Sequence, residues 1–263
     1  MNKMILGSLL LSVLALGISC TSSNSSVGID STTCSNSTQC TARNVDTCNN
    51  GVCVCGTAGA TACESGKEEC LSGVCTKTRM MFSTSKTFTL GSAFSSSTAT
   101  STISSAKYAD DACNWVAGLG GIKGNFAAWI STSSTSALDR IKGKTNTKDV
   151  LSITNTKSAT IATTMASLAE STTVLTNAIL DENGAAATGY IFTGATNSQA
   201  IGGSNCSDWS VSTGSDIIGT AGVTTANTWF NNGTTGLCAT AASLYCIRVD
   251  DNAKSYNQDD QQE

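Results

Sequence analysis

The sequence predicts an α+β protein in which a small disulfide-rich module precedes one larger domain. Eight of the thirteen cysteines crowd into residues 34–75, and four more are spread between residues 113 and 246. The segment 79–249 mixes helix-like and strand-like apolar patterns and is long enough to form a core. The crowded segment is too short for one and must depend on its disulfides.

The N-terminus predicts export and a lipid anchor. Lys3 precedes an apolar stretch at 4–18, and the stretch ends in LGISC at Cys20. This layout is typical of a secretory signal and resembles a bacterial lipoprotein box in the loose form that spirochaetes tolerate. We expect residues 1–19 to be a signal peptide and Cys20 to carry lipid, which leaves an even number of cysteines for disulfides. Ordinary signal cleavage, without lipid on Cys20, is the alternative.

Two segments outside the modules are polar. Residues 20–33, which begin with the cysteine expected to carry lipid, predict a flexible tether. Residues 250–263 lack periodic apolar residues and predict an acidic disordered tail.

The module at 34–76 contains two similar motifs, CNNGVC at 48–53 and CLSGVC at 70–75. In each, a glycine allows a turn that brings the flanking cysteines close together. The pattern resembles small EGF-like or Dickkopf-like repeats. Eight cysteines allow 105 pairings, so the connectivity stays open. A zinc site is the competing interpretation, and an oxidising compartment disfavours it. The disulfide-forming cysteines here are Cys34, Cys40, Cys48, Cys53, Cys55, Cys63, Cys70 and Cys75.

Two helices are predicted in the larger domain. The first begins at a cap at Ser104 or Ser105 and carries apolar residues at helical spacing as far as Leu119. The second spans 133–143, with Ser136 and Asp139 at its start and Gly143 at its end. A buried strand is predicted at 125–131, and short strand or loop fragments are predicted at 190–194, 206–211, 227–230 and 243–249.

Several motifs occur in an order that resembles a known family. They are AWISTSSTSALDRI at 128–141, IFTGAT at 191–196, CSDW at 206–209 and LYCIRV at 244–249. The segment 79–249 resembles a bacterial domain of unknown function in leptospiral-type surface lipoproteins, related to the C-type-lectin-like and endostatin folds. The resemblance implies two helices packed on short antiparallel strands, with long loops. It also implies disulfides Cys113–Cys246 and Cys206–Cys238, one of the three pairings that four cysteines allow.

A calcium site of the sugar-binding type is not expected, because the chain has no proline for its cis bond. WFNNG at 229–233 resembles part of such a site, and makes Trp229, Asn231 and Asn232 possible ligand-binding residues. Neutral amides are weaker calcium ligands than carboxylates. The carboxylates that could join them are Asp181, Glu182, Asp208 and Asp216. The alternative is a core tryptophan followed by a turn, and we expect no metal or other cofactor.

Catalytic motifs are absent from the sequence. Without histidine there is no Ser-His or Cys-His nucleophile pair. Asp110 and Asp111 are adjacent on a helix, which predicts two solvent-facing carboxylates and not an acid–base pair. GKT at 143–145 lacks the earlier glycine of a phosphate loop. We therefore expect no enzyme.

The distribution of charge indicates which kinds of partner the protein can bind. A formal net charge of −4 argues against nucleic acid. One basic cluster, Arg140, Lys142, Lys144 and Lys148, is either a solvated surface or a patch for sulfated glycans or acidic proteins.

These features predict a lipid-anchored protein of the outer membrane or cell surface. Its lectin-like domain would bind extracellular-matrix proteins, serum proteins or glycans as an adhesin. The alternative is a structural envelope lipoprotein without a host ligand.

Overall fold

A computed structural model describes residues 47–49, 52–54, 68–71, 74–91, 102–103, 105–145, 151–170 and 172–249. Side chains are described within 77–91, 105–145, 151–170 and 172–249. The predicted signal peptide, Cys20, the predicted tether and the predicted acidic tail lie outside these residues, as does most of the predicted cysteine-rich module. The described chain is a mixed α+β structure, which confirms the predicted class.

Two antiparallel hairpins form at the two cysteine motifs. Strand β1 (Thr47–Asn49) pairs with β2 (Val52–Val54), and β3 (Glu68–Leu71) pairs with the start of β4 (Val74–Ser83). The registers place Cys48 opposite Cys53 and Cys70 opposite Cys75. The glycine-containing motifs therefore turn the chain as the sequence predicts.

The main sheet is built around two antiparallel neighbours, β4 and the last strand, β13 (Tyr245–Arg248). Three further strands belong to it: β7 (Phe126–Ala128), β8 (Ser152–Thr154) and β9 (Thr160–Ala162). The strand order is β7-β13-β4-β8-β9, with only the β4–β8 pair parallel.

Side chains along each strand alternate between the two faces of the sheet. Both faces therefore carry apolar residues, and helices cover both. Phe82 and Cys246 point into a core that includes helix α1 (Ala106–Leu119). Met81 and Ile247 point into a second core, which includes α2 (Ala137–Lys142) and α3 (Met165–Ala169).

Hydroxyl side chains cap all three helices. Ser105 accepts a hydrogen bond from the backbone N–H of Tyr108, and Ser136 accepts one from Asp139. Thr164 begins α3 with a reciprocal capping box. The first two helices and their caps confirm the sequence prediction, although α2 is shorter than the predicted 133–143.

A second sheet, named here the loop sheet, consists of β10 (Tyr190–Phe192), β11 (Ser215–Thr220) and β12 (Thr235–Leu237). Its strand order is β10-β11-β12. A short turn, α4 (Cys206–Trp209), precedes β11, and a small parallel pair joins β5 (Thr89–Leu90) to β6 (Thr102–Ile103).

Two disulfides tie these layers together. Cys113 of α1 bonds to Cys246 of β13, and Cys206 of α4 bonds to Cys238 after β12. This is the pairing that the family resemblance implies. Within the described residues, no helix is long and apolar enough to cross a membrane.

Candidate binding surface

The antiparallel pair of strands β4 and β13 has two opposite ends, and different parts of the domain lie at each end. The chain enters β4 at Val74 and leaves β13 after Arg248, which lie at the same end of the ladder. At the other end, Ser243 exchanges backbone hydrogen bonds with Tyr190 and Phe192 of the loop sheet, at 2.9 and 3.0 Å. The loop sheet therefore lies at the end opposite to the point where the chain enters.

Three loops next to this sheet are held together by hydrogen bonds to backbone carbonyls. We call residues 172–177, 196–201 and 223–231 the loop surface. The side-chain amides of Asn227 and Asn231 both donate to the Thr196 carbonyl at 3.1 Å. The Leu175 N–H donates to the Thr224 carbonyl at 2.9 Å. These bonds link each loop to another and give the surface a defined shape.

The WFNNG motif supports the loop surface from below. Trp229 and Phe230 are each 1% exposed, and the Trp229 ring packs against Phe230 and Tyr245 at centroid distances of 5.5 and 5.6 Å. Asn231 and Asn232 accept hydrogen bonds from the backbone N–H groups of Gly233 and Thr234. Trp229 thus lies in the core, and the two asparagines shape the loop that follows.

The part of the domain formed by residues 158–247 is nearly free of surface charge. Residues 158–247 contain no lysine or arginine. Of its five acidic residues, Asp181, Glu182 and Asp216 are buried and Asp208 is hydrogen-bonded, so Glu170 is left as the exposed charge. Exposed apolar side chains stand among the polar ones: Val174, Tyr190, Ile201 and Leu237, which are 52–66% exposed.

The turn α4 has a left-handed backbone. Residues Cys206, Ser207, Asp208 and Trp209 have φ angles of 54°, 51°, 56° and 70°. Left-handed geometry costs non-glycine residues roughly 1–2 kcal/mol each, so contacts elsewhere must hold the turn. The sequence predicts an ordinary strand or loop fragment here, because CSDW contains no glycine to indicate this conformation.

Contacts on both sides hold this turn in place. The Cys206–Cys238 disulfide fixes its first residue, and the Trp209 indole donates to the Ser131 carbonyl at 3.0 Å. The Asp208 carboxylate accepts hydrogen bonds from Ser133 and, at 2.7 Å, from the Asn205 amide. Partial burial raises the pKa of Asp208, but these donors outweigh it, so the pKa lies below its ordinary value.

Asp216 is a buried carboxyl near the start of β11. Its side chain is 0% exposed, and neither oxygen has a hydrogen-bond partner of normal geometry among the described residues. Burial raises the pKa of Asp216 to about 9. The N–H groups of Ile217 and Gly194 oppose the shift only weakly, because both donate to backbone carbonyls instead. Asp216 is therefore a neutral acid at pH 7.

The four carboxylates considered for calcium are not grouped into a metal site. Glu182 accepts from the Ser85 N–H at 2.8 Å, and Asp181 accepts from the N–H groups of Asn183 and Ala185 at 2.9 and 2.7 Å. Asp208 and Asp216 belong to the loop sheet and its turn. Across the described part of the chain, no three His, Cys, Asp or Glu side chains are close enough to hold a metal ion.

The basic cluster is divided between the interior and the surface. The Arg140 side chain is 9% exposed and contacts both oxygens of Asp110 at 3.0 and 3.1 Å. Lys144 pairs with the same carboxylate at 3.0 Å, while Lys142 is exposed and Lys148 lies outside the described residues. The expectation that Asp110 faces solvent is wrong, because Arg140 and the Ala128 N–H hold it beneath the surface.

The chain matches no protein-family model and no curated protein.

Proposed function

We propose that this chain is a lipid-anchored cell-surface protein whose lectin-like domain binds a partner through the loop surface. The position of that surface carries the proposal. The chain enters the domain at one end of the β4–β13 ladder, and the loop sheet is attached at the other. A lipid on Cys20 would then leave the loop surface directed away from the membrane.

The architecture supports the lectin-like assignment. The first and last strands of the domain pair with each other, and a disulfide joins the first helix to the last strand. The loop sheet is inserted between them in sequence and has its own disulfide, Cys206–Cys238. Long loops with few internal contacts need such local restraints, and loops held on a rigid scaffold are where binding residues concentrate.

The chemistry of the loop surface limits the kinds of partner that it can bind. A surface without basic residues cannot attract sulfated glycans or acidic proteins by charge. Exposed Val174 and Ile201 supply apolar contact area, and the surrounding hydroxyl and amide groups supply hydrogen bonds. We therefore infer an uncharged patch of a matrix or serum protein, or a neutral glycan, as the partner.

A binding panel tests this proposal. The mature chain from residue 21 would be titrated against immobilised laminin, fibronectin, serum proteins and neutral and sulfated glycans. We expect saturable binding that changes little between about 50 and about 500 mM salt, since surface charge contributes little. Steep loss with salt would instead indicate the exposed lysines, and no saturable binding to any ligand would contradict the binding role.

Matched variants locate the interface. Val174→Glu with Ile201→Glu should weaken binding by at least about tenfold, because apolar anchors carry much of an interface's energy. Leu119→Glu changes a similarly exposed residue, 47% accessible, at the end of α1 and should bind like the parent chain. Equal losses in both variants would place the interface elsewhere.

The anchor needs its own experiment. Mass spectrometry of the chain from intact cells should find lipid on Cys20, and surface protease treatment should remove the domain. An unmodified Cys20, or a chain protected from protease, would contradict the anchored-surface assignment.

A further inference from the structure

Strand β4 crosses the boundary between the two modules that the sequence predicts. The cysteine-rich module was expected to end at residue 76 and the larger domain to begin at residue 79. Strand β4 runs from Val74 to Ser83 without interruption. At about 3.3 Å per residue, its ten residues extend for roughly 30 Å.

Each residue of β4 has a pairing partner, but the partner strand changes along its length. Residues 74–77 pair with β3, residues 78–80 with β8, and residues 81–83 with β13. The change from β3 to β8 takes place between Lys77 and Thr78, with no unpaired residue between them. A hinge requires residues that can change φ and ψ, and here each such change would break pairing to a neighbouring strand.

The side chains next to this point are buried on the domain side. Thr78 is 4% exposed and Arg79 is 2% exposed. The Arg79 guanidinium donates to the Arg248 carbonyl of β13 at 2.6 Å. Flexible linkers between domains are exposed and make few such contacts, so this segment differs from a linker in both burial and bonding.

We infer that the β3–β4 hairpin is a rigid extension of the main sheet, so that the end of the cysteine-rich module and the larger domain move as one body. The orientation of the loop surface relative to Glu68 would then be fixed by β4. Freedom of the domain relative to an anchor would have to come from the chain before β3. This inference does not depend on which partner the loop surface binds.

Trypsin supplies a direct test, because Lys77 and Arg79 are cleavage sites inside β4. Proteolysis requires several residues to unfold locally, so trypsin cleaves a paired strand only in the small fraction of molecules in which the strand is open. The mature chain would be digested under native conditions, and cleavage after Lys77 and Arg79 would be followed by mass spectrometry. The comparison variant carries Gly-Ser-Gly-Ser inserted between Lys77 and Thr78, which makes a flexible linker and keeps both sites.

We expect cleavage after Lys77 in the parent chain to be at least about 100-fold slower than in the insertion variant. Equal rates would overturn the inference. If the insertion prevents folding, amide hydrogen exchange of the parent chain decides the matter. Protection of residues 76–79 comparable to that of β13 supports a rigid junction, and rapid exchange confined to those residues overturns it.

Discussion

Asp110 of α1 and Arg140 of α2 form a buried ion pair that joins the helices on opposite faces of the sheet. The pair lies beside β7, an edge strand of that sheet. Asp110 accepts from the Ala128 N–H at 2.8 Å, and Arg140 donates to the Ala128 carbonyl at 2.8 Å. Asn114 bonds the N–H and carbonyl of Phe126 at 2.7 and 2.9 Å. Side chains thus occupy an edge that could otherwise pair with another chain.

Removing one partner of this pair should destabilise the domain strongly. In Asp110→Ala, Arg140 remains buried without its carboxylate, and such a change costs about 3–5 kcal/mol. Chemical denaturation of the mature chain would measure the free energy of unfolding. Asp111→Ala is the matched control, because it removes only the surface pair with Lys107 at 2.7 Å, worth at most about 1 kcal/mol. Equal effects of the two variants would show that the Asp110 pair contributes no more than a surface pair.

Asp216 should make the stability of the domain fall as pH rises. The carboxyl loses its proton near pH 3.8 in the unfolded chain, but only at about pH 9 in the folded one. Between these values the folded state keeps a proton that the unfolded state has released, so the free energy of unfolding decreases with pH. Above about pH 9 both states are ionised, and the contribution levels off.

Asp216→Asn isolates this effect because the amide has the shape of the neutral acid and does not titrate. We expect the variant to be more stable than the parent chain by a few kcal/mol at pH 7. The difference in the free energy of unfolding between the two proteins should grow between about pH 4 and about pH 9. Chemical denaturation at each pH, in the presence of a chelator, measures this difference. Parallel pH curves for the two proteins would contradict a buried neutral acid.

The two disulfides in the described part of the chain should differ in what their loss does. Cys113–Cys246 closes a separation of 133 residues, and Cys206–Cys238 closes one of 32. Chain entropy assigns them about 5 and about 4 kcal/mol. Cys113→Ala with Cys246→Ala should therefore cause the larger loss of melting temperature. Cys206→Ala with Cys238→Ala should keep the main sheet, while loosening the loop sheet. Hydrogen exchange resolved along the chain would distinguish these outcomes, and uniform loss of protection in both variants would contradict them.

Ser207 tests the strain in the left-handed turn. Its φ of 51° suits glycine, and its side chain is exposed. We expect Ser207→Gly to maintain or raise the melting temperature. The gain in the free energy of unfolding should be at most about 1 kcal/mol. Ser207→Ala should leave it nearly unchanged, since alanine keeps the Cβ that causes the crowding. Ser207→Val should lower it because a β-branched side chain fits this conformation worst. The reverse order would show that the turn is not left-handed in solution.

Local signals in the sequence determined α1, α2 and the two cysteine-motif hairpins. Ser105 and Ser136 bond to residues three positions ahead, and the paired strands of each cysteine-motif hairpin are separated by only two residues in the chain. Interactions over so few residues are readable from sequence because the partners are neighbours in the chain. The disulfide pairing came instead from the order of several motifs, since four cysteines alone leave three choices.

Tertiary structure decided the features that depend on distant partners. Asp110 and Asp111 look alike in the sequence, yet Arg140, thirty residues away, buries one of them and leaves the other beside Lys107. The left-handed turn at CSDW depends on Ser131, Ser133 and Cys238, and no local residue indicates it. Strand β4 likewise joins two predicted modules because β3, β8 and β13 pair with successive parts of it. The sequence thus determined α1, α2, the hairpins and the broad α+β class, whereas burial and pairing across the fold decided which charges are hidden and where the chain cannot bend.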